Sequence, residues 1–223
     1  MSSMTERKRV RMTGQQRRAQ LLDVARGTFA EKGFDATSIE EIAQRAGVSK
    51  PIVYEHFGGK EGMYAVIVDR EVQRLLERIT EALDGETPRE LLEQAAMAFL
   101  AYIEDEPAGF TILVRDSPLP SSSGTLASVI GDIASQVEYV FAEQFKPRGF
   151  DPKLAGIYSR ALVGMVGLVG QWWLDEGKPS RDVVASHLVN LAWNGLKGLE
   201  KKPRLIVKKP RESAKVVKLD PSA

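Results

Sequence analysis

The chain contains no cysteine. Neither a disulfide framework nor a thiolate metal site can be built from it. It has two histidines in 223 residues. His56 falls in a short predicted helix, and His187 falls in the last long one. There is no glycine-rich phosphate loop, no paired-carboxylate motif and no metal-ligand spacing. A Ser–His–Asp set would have to use His187, and nothing near it recommends one. The expectation is a protein that is not an enzyme and needs no cofactor or metal. No apolar run approaches a membrane span, and no apolar stretch follows the basic first residues as a signal peptide requires. A cytoplasmic location without a membrane partner is expected.

What is present suffices for a real core: 43% of the chain is apolar. Its periodicity is helical almost throughout, with one weak strand signal at Leu205, Ile206 and Val207. The expected fold is all-α, with no internal repeat. A net charge of +1 hides a strong asymmetry. Residues 1–64 carry eleven Lys/Arg against eight Asp/Glu, and residues 201–223 carry eight against two. Residues 65–200 carry twelve against twenty. Basic ends suit a polyanion, or are merely solvated tails; an acidic middle suits a body held off DNA.

Punctuation divides the chain. Residues 1–14 read as a basic, flexible arm with Arg7, Lys8, Arg9 and Arg11. A helix over about 15–32 buries Leu21, Leu22, Ala25 and Phe29, with Gly33 behind it and Phe34 as a hydrophobic clasp. Residues 15–64 form the first unit and residues 65–200 a larger helical one. Residues 201–223, with three prolines, read as a basic disordered tail. Further helices are expected over about 60–83, which crosses from the first unit into the second, from Thr87-Pro88-Arg89-Glu90 to Glu106-Pro107, and over 108–115, 125–145, 152–175 and 181–199. The first of these presents an apolar face from Tyr64 to Leu83. Ser117 to Gly124 is expected to be a mobile loop.

Residues 37–64 are the most telling. Ser38 and Glu41 have capping-box spacing, and Ile39, Ile42, Ala43 and Ala46 repeat along one helical face. Gly47 sits where a tight turn needs positive φ. Ser49 can cap the next helix, with Pro51 in its first turn. That helix, about 50–56, is short enough to be a probe. Two helices joined this way form a helix-turn-helix, which places its second helix in a DNA major groove.

These residues resemble the tetracycline-repressor (TetR) family of bacterial regulators. The resemblance rests on Gly33-Phe34, Thr37-Ser38, Ile42-Ala43, the run Ala46 to Lys50, Tyr54, His56-Phe57 and Lys60-Glu61. It implies a three-helix DNA-binding domain followed by a ligand-binding and dimerisation domain. It also implies roles. Lys50, Pro51 and Ile52 face base edges, and Tyr54 and His56 grip phosphates. Thr37, Ser38 and Ser49 cap helices beside the backbone, and Lys60 opens a helix whose free N–H groups favour an anion. Glu55 departs from the pattern. It either accepts from a cytosine amino group or points away, to solvent or to Lys60 or Arg45. Arg9 and Arg11 either enter the minor groove or attract DNA without a fixed pose.

The last two long helices are implied to pair with their copies in a homodimer. Gly164, Gly167, Gly170, Trp172 and Trp173 on one, and Val184, Leu188, Leu191, Trp193, Gly195 and Leu199 on the other, suit either that or an internal core. Phe99, Tyr102, Phe110, Val114, Phe141, Tyr158 and Met165 either line a cavity for an apolar or aromatic effector or fill ordinary core. Arg115 or Arg160 could meet an acidic head. The expected function is a dimeric repressor released from its double-stranded DNA operator by a small lipophilic effector. A ligand-independent architectural or co-regulatory DNA-binding dimer is the alternative.

Overall fold

The computed structural model describes residues 12–114 and 126–204, with backbone only for 126–130 and 132. The expectations for the arm before residue 12, for Arg115, for the loop at Ser117–Gly124 and for the tail from 205 onward lie outside the described residues. So does the weak strand signal. The described residues are all-α.

The first helix, α1 (Gly14–Ala36), starts on a reciprocal capping box. The Thr13 hydroxyl accepts from the Gln16 amide (3.2 Å), and the Gln16 side chain accepts from the Thr13 amide (2.9 Å). Its helical geometry breaks at Gly33, and Phe34 then folds back against Phe29 and Tyr64. Two short helices follow, α2 (Ile39–Ala46) and α3 (Lys50–Phe57), then the long α4 (Lys60–Glu81). The body adds α5 (Pro88–Asp105), α6 (Pro107–Val114), α7 (Leu126–Arg148), a 3-10 turn (Pro152–Leu154), α8 (Ala155–Glu176) and α9 (Arg181–Lys197). The α5 start uses the Thr87–Glu90 box expected for it, with bonds of 3.2 and 2.9 Å. Leu83 was expected on the buried face of α4; the helix ends before it, and Leu83 is exposed.

One apolar cluster runs from Leu21 to Val189 and crosses from the first unit into the body through α4. α6 packs on α1, α9 lies along α5, and α7 lies along α8. A polar seam crosses the same junction. Glu71 on α4 is buried and holds four bonds. Arg26 on α1 donates to both its oxygens (3.0 and 3.1 Å), Arg74 to one (2.9 Å) and the Tyr102 hydroxyl to the other (2.9 Å). Arg26 also reaches Glu106 at the α5–α6 joint (2.5 Å). Gly109 of α6 closes over this group: a Cβ there would stand 1.9 Å from a Glu71 oxygen.

One expectation about the last helices is corrected. The segment Pro152–Glu176 is, by length and composition, apolar enough to cross a membrane, and 22% of its apolar window is buried within the protomer. The residues expected at a dimer seam divide. Val184 and Leu188 are buried in the protomer's own core, on the α9 face that lies along α5. Gly170 is a close approach within the protomer, because a Cβ there would lie 2.5 Å from the Phe99 ring. Trp173 is buried and donates to the Pro179 carbonyl (2.7 Å). The exposed apolar residues on the outer sides of these helices are Ile157, Leu168 and the expected Trp172 on α8, and Val183 and the expected Leu191 on α9. Gly164 opens to the same side, with nothing within 4 Å of a Cβ.

Candidate nucleic-acid interface

The reading unit is built by local chemistry. The Ser38 hydroxyl accepts from the Glu41 amide (3.2 Å). The return bond of a capping box is absent, because the Glu41 carboxylate is drawn to Lys32 (2.7 Å) and Arg45 (2.8 Å). Ile39, Ile42, Ala43 and Ala46 bury the inner face of α2. Gly47 takes the left-handed conformation (φ 66°, ψ 35°), and its amide donates to carbonyls of the last turn. Ser49 occupies the cap position of α3 without a side-chain cap bond. Val53 is fully buried and pins α3 to the core. Behind it, the Arg18 guanidinium lies 4.5 Å from the Phe57 ring centroid, so α1 grips the end of α3 by a cation–π contact.

With Val53 inward, α3 turns Lys50, Pro51, Tyr54 and Glu55 outward; Ile52 and His56 are half-buried beside them. Tyr54 is 46% exposed. Ser38 and Ser49 are also exposed. Exposed side chains thus stand at the start of α2 and along the solvent side of α3. The Lys50 amine is held by the Glu40 carboxylate of α2 and lies 5.8 Å from the Tyr54 ring centroid. The hydrogen bond from Lys50 holds the Glu40 carboxyl below its ordinary range and raises the Lys50 amine above its own.

Two expected phosphate contacts are turned inward. Thr37 is buried, and its hydroxyl donates to the Gly33 carbonyl (2.7 Å). It ties the end of α1 to the start of α2. The Lys60 amine donates to the Phe34 carbonyl (3.0 Å) and sits 4.2 Å from the Phe34 ring centroid. Neither pairing expected for Glu55 is made, since Arg45 engages Glu31 and Glu41 while Lys60 engages Phe34. Glu40 and Arg18 were not singled out in the sequence. Glu40 stands ten residues from Lys50, across a turn, where helical spacing gives no signal.

The expected effector residues fall into two groups. Phe99 and Phe110 meet edge to face at 5.6 Å in the main core, and half-buried Val114 and Met165 pack against that core. Tyr102 is buried, but its hydroxyl serves Glu71; burial and the Glu71 carboxylate both push that phenol's pKa up. Phe141 and Tyr158 lie with Phe145 in a separate aromatic group between α7 and α8, at 5.9 and 5.5 Å from it. Arg160 pairs with Glu138 (2.8 Å) on the surface.

The comparisons agree with this arrangement. Residues 21–67 match the family described as bacterial regulatory proteins, tetR family. Residues 78–205 match the tetracyclin repressor-like C-terminal domain. The HTH-type transcriptional activator FasR of Mycolicibacterium smegmatis is 30% identical over 188 residues, covering 83% of this chain and 85% of FasR. A TetR-like transcriptional regulator from Rhodococcus sp. RHA1 superposes with a TM-score of 0.66 at 28% identity, over 85% of this chain and all of that one. A TetR-family regulator from Streptomyces coelicolor gives 0.64 at 25% identity, over 81% of this chain and 80% of that one. With a helix-turn-helix whose second helix faces outward, and a C-terminal match spanning more than half its length, the chain belongs to the TetR family and is a sequence-specific DNA-binding regulator.

Proposed function

We propose that the chain acts as a homodimer that reads a two-fold operator with its paired α3 helices and leaves it when a small apolar effector binds the C-terminal helices. On this reading it is a repressor. The outward apolar stripe carries it. Ile157, Gly164, Leu168 and Trp172 recur at intervals of seven, four and four along α8, so they share one face; Val183 and Leu191 are exposed on α9. Such an exposed apolar patch marks an interaction surface, and a second copy of the chain is the occupant we assign to it. A two-fold pair would hold two reading helices about one duplex turn apart, roughly 34–36 Å.

Lys50, Pro51 and Ile52 are assigned to base edges, and Tyr54, His56, Ser38 and Ser49 to phosphates. The effector reading is supported by the tetracyclin repressor-like C-terminal match and by half-buried Met165, Val166 and Val169 on α8 facing the core. An effector that releases DNA must prefer the released form, typically by about 1–3 kcal/mol. Sedimentation of the purified chain should give a dimer. Operator release should follow addition of a member of a fatty acyl, aromatic and polycyclic panel. A stable monomer at micromolar concentration, or a panel without any binder, overturns the corresponding half of the proposal. FasR is by name an activator, which favours a second reading in which operator occupancy raises transcription. A reporter behind the operator separates the two: effector raises its output for a repressor and lowers it for an activator.

A further inference from the structure

The folded reading unit spends its positive charge on itself. Residues 12–64 contain seven Lys/Arg and seven Asp/Glu, so this unit is electroneutral and the basic excess of the first 64 residues lies before residue 12. Lys32 and Arg45 meet Glu41 at 2.7 and 2.8 Å, and Lys60 is tied to the Phe34 carbonyl at 3.0 Å. Lys50 is the lysine of α3, and it too is engaged, by Glu40 in the first turn of α2. Both side chains are exposed, at 45% and 63%.

A lysine amine is a point charge on a flexible stem. Left alone beside a duplex, it settles on the nearest phosphate of any sequence and adds to non-specific affinity. Glu40 opposes this in two ways: it occupies the amine, and its carboxylate repels phosphate. It also fixes the amine beside Tyr54, on the outward edge of α3. An exposed pair of this kind is weak, so a well-placed acceptor on a base edge can take the amine over or share it.

We propose that Glu40 is a specificity-determining residue, which withholds Lys50 from phosphates and presents it to base acceptors of the correct site. The proposal rests on Lys50 being a base-edge contact. It distinguishes two modes of binding. On non-operator DNA, Lys50 stays with Glu40 and releases no counterion. On the operator, Lys50 turns to the base edge while Glu40 still orients it.

The test uses the full-length protein, an operator duplex recovered by selection from random sequence, and a scrambled duplex of the same composition. Affinities are measured over a salt series for the wild type, Glu40→Gln, Lys50→Gln and the double variant. Glu40→Gln should tighten scrambled-duplex binding about threefold, steepen its salt dependence by about one unit of slope and change operator affinity less than twofold. The specificity ratio then falls about threefold. Adding Glu40→Gln to Lys50→Gln should change neither slope. Equal tightening on both duplexes overturns the proposal, as does a steeper slope that survives in the Lys50→Gln background, because either result reduces Glu40 to general repulsion. If Lys50→Gln alone leaves operator affinity unchanged, Lys50 is no base contact, and the proposal falls together with that assignment.

Discussion

Tyr102 illustrates how one hydroxyl changes what a side chain is for. Its ring belongs to the core, as an aromatic at helical spacing suggests, but its O–H is fixed on buried Glu71. No spacing rule links residues 71 and 102, so this bond was invisible until the helices were placed. Because the folded pKa of Tyr102 is raised, its contribution to stability is complete below the unfolded value, about 10, and is lost as pH rises above it. Tyr102→Phe should therefore be less stable than the wild type at neutral pH, and the gap should narrow in thermal melts above about pH 10. A gap that stays constant to high pH contradicts the assignment. Lys60 likewise serves the fold first. Lys60→Ala should cost about 1 kcal/mol in denaturant titrations, through its lost bond to Phe34. On α3, Tyr54→Ala should weaken binding to all sequences alike, since a phosphate contact carries no sequence information. Ile52→Ala should instead shift the preferred sequence with little change in salt dependence. Selection from random duplexes with each variant checks the pair.

Helices were legible where their signals are local. The Thr87–Glu90 box, the Gly47 turn and the Ser38 cap are written within four or five residues, and each stands where its spacing puts it. The face of α9 was not legible. Val183 and Val184, and Leu188 and Leu191, make both sides of that helix apolar, so periodicity alone could not say which side meets α5 and which meets solvent. The glycines of α8 posed the same problem. Equal spacing suggested one flat seam, yet Gly170 receives the Phe99 ring from inside while Gly164 faces open space. The expected effector residues divide between two groups for a related reason: residue type marks an aromatic as buried but not which neighbours it meets, and Phe141 and Tyr158 meet Phe145 rather than Phe99. The tightest helix approach is testable. Gly109→Ala would drive a methyl group into the Glu71–Arg26–Tyr102 contact and should destabilise the protein by about 2 kcal/mol, as overpacking of a filled site does. Gly164→Ala, with no atom to meet in the middle of α8, should instead raise the melting temperature slightly, because alanine is the better helix former by about 1 kcal/mol.

At the scale of the molecule, the core and the polar seam make the reading unit and the body one mechanical object. Removing Glu71 would leave Arg26 and Tyr102 short of their acceptor; Glu71→Ala should cost about 3 kcal/mol and loosen α1 from α4 and α6 together. The last helices are less unified. α8 is supported mainly by α7, and α9 mainly by α5, so the exposed apolar strips of the two helices stand on different foundations. A second copy laid across both strips would act as a splint, binding the α7–α8 hairpin to the rest of its own protomer from outside. Leu168→Arg, at an exposed position where the charge costs the isolated protomer little, should break that splint. Hydrogen exchange on the resulting monomer should then speed up in α7 and α8 and stay slow in α5, whose amides are shielded by their own chain. The rigidity of the hairpin would thus be a property of the pair, present in each chain only while the other is there.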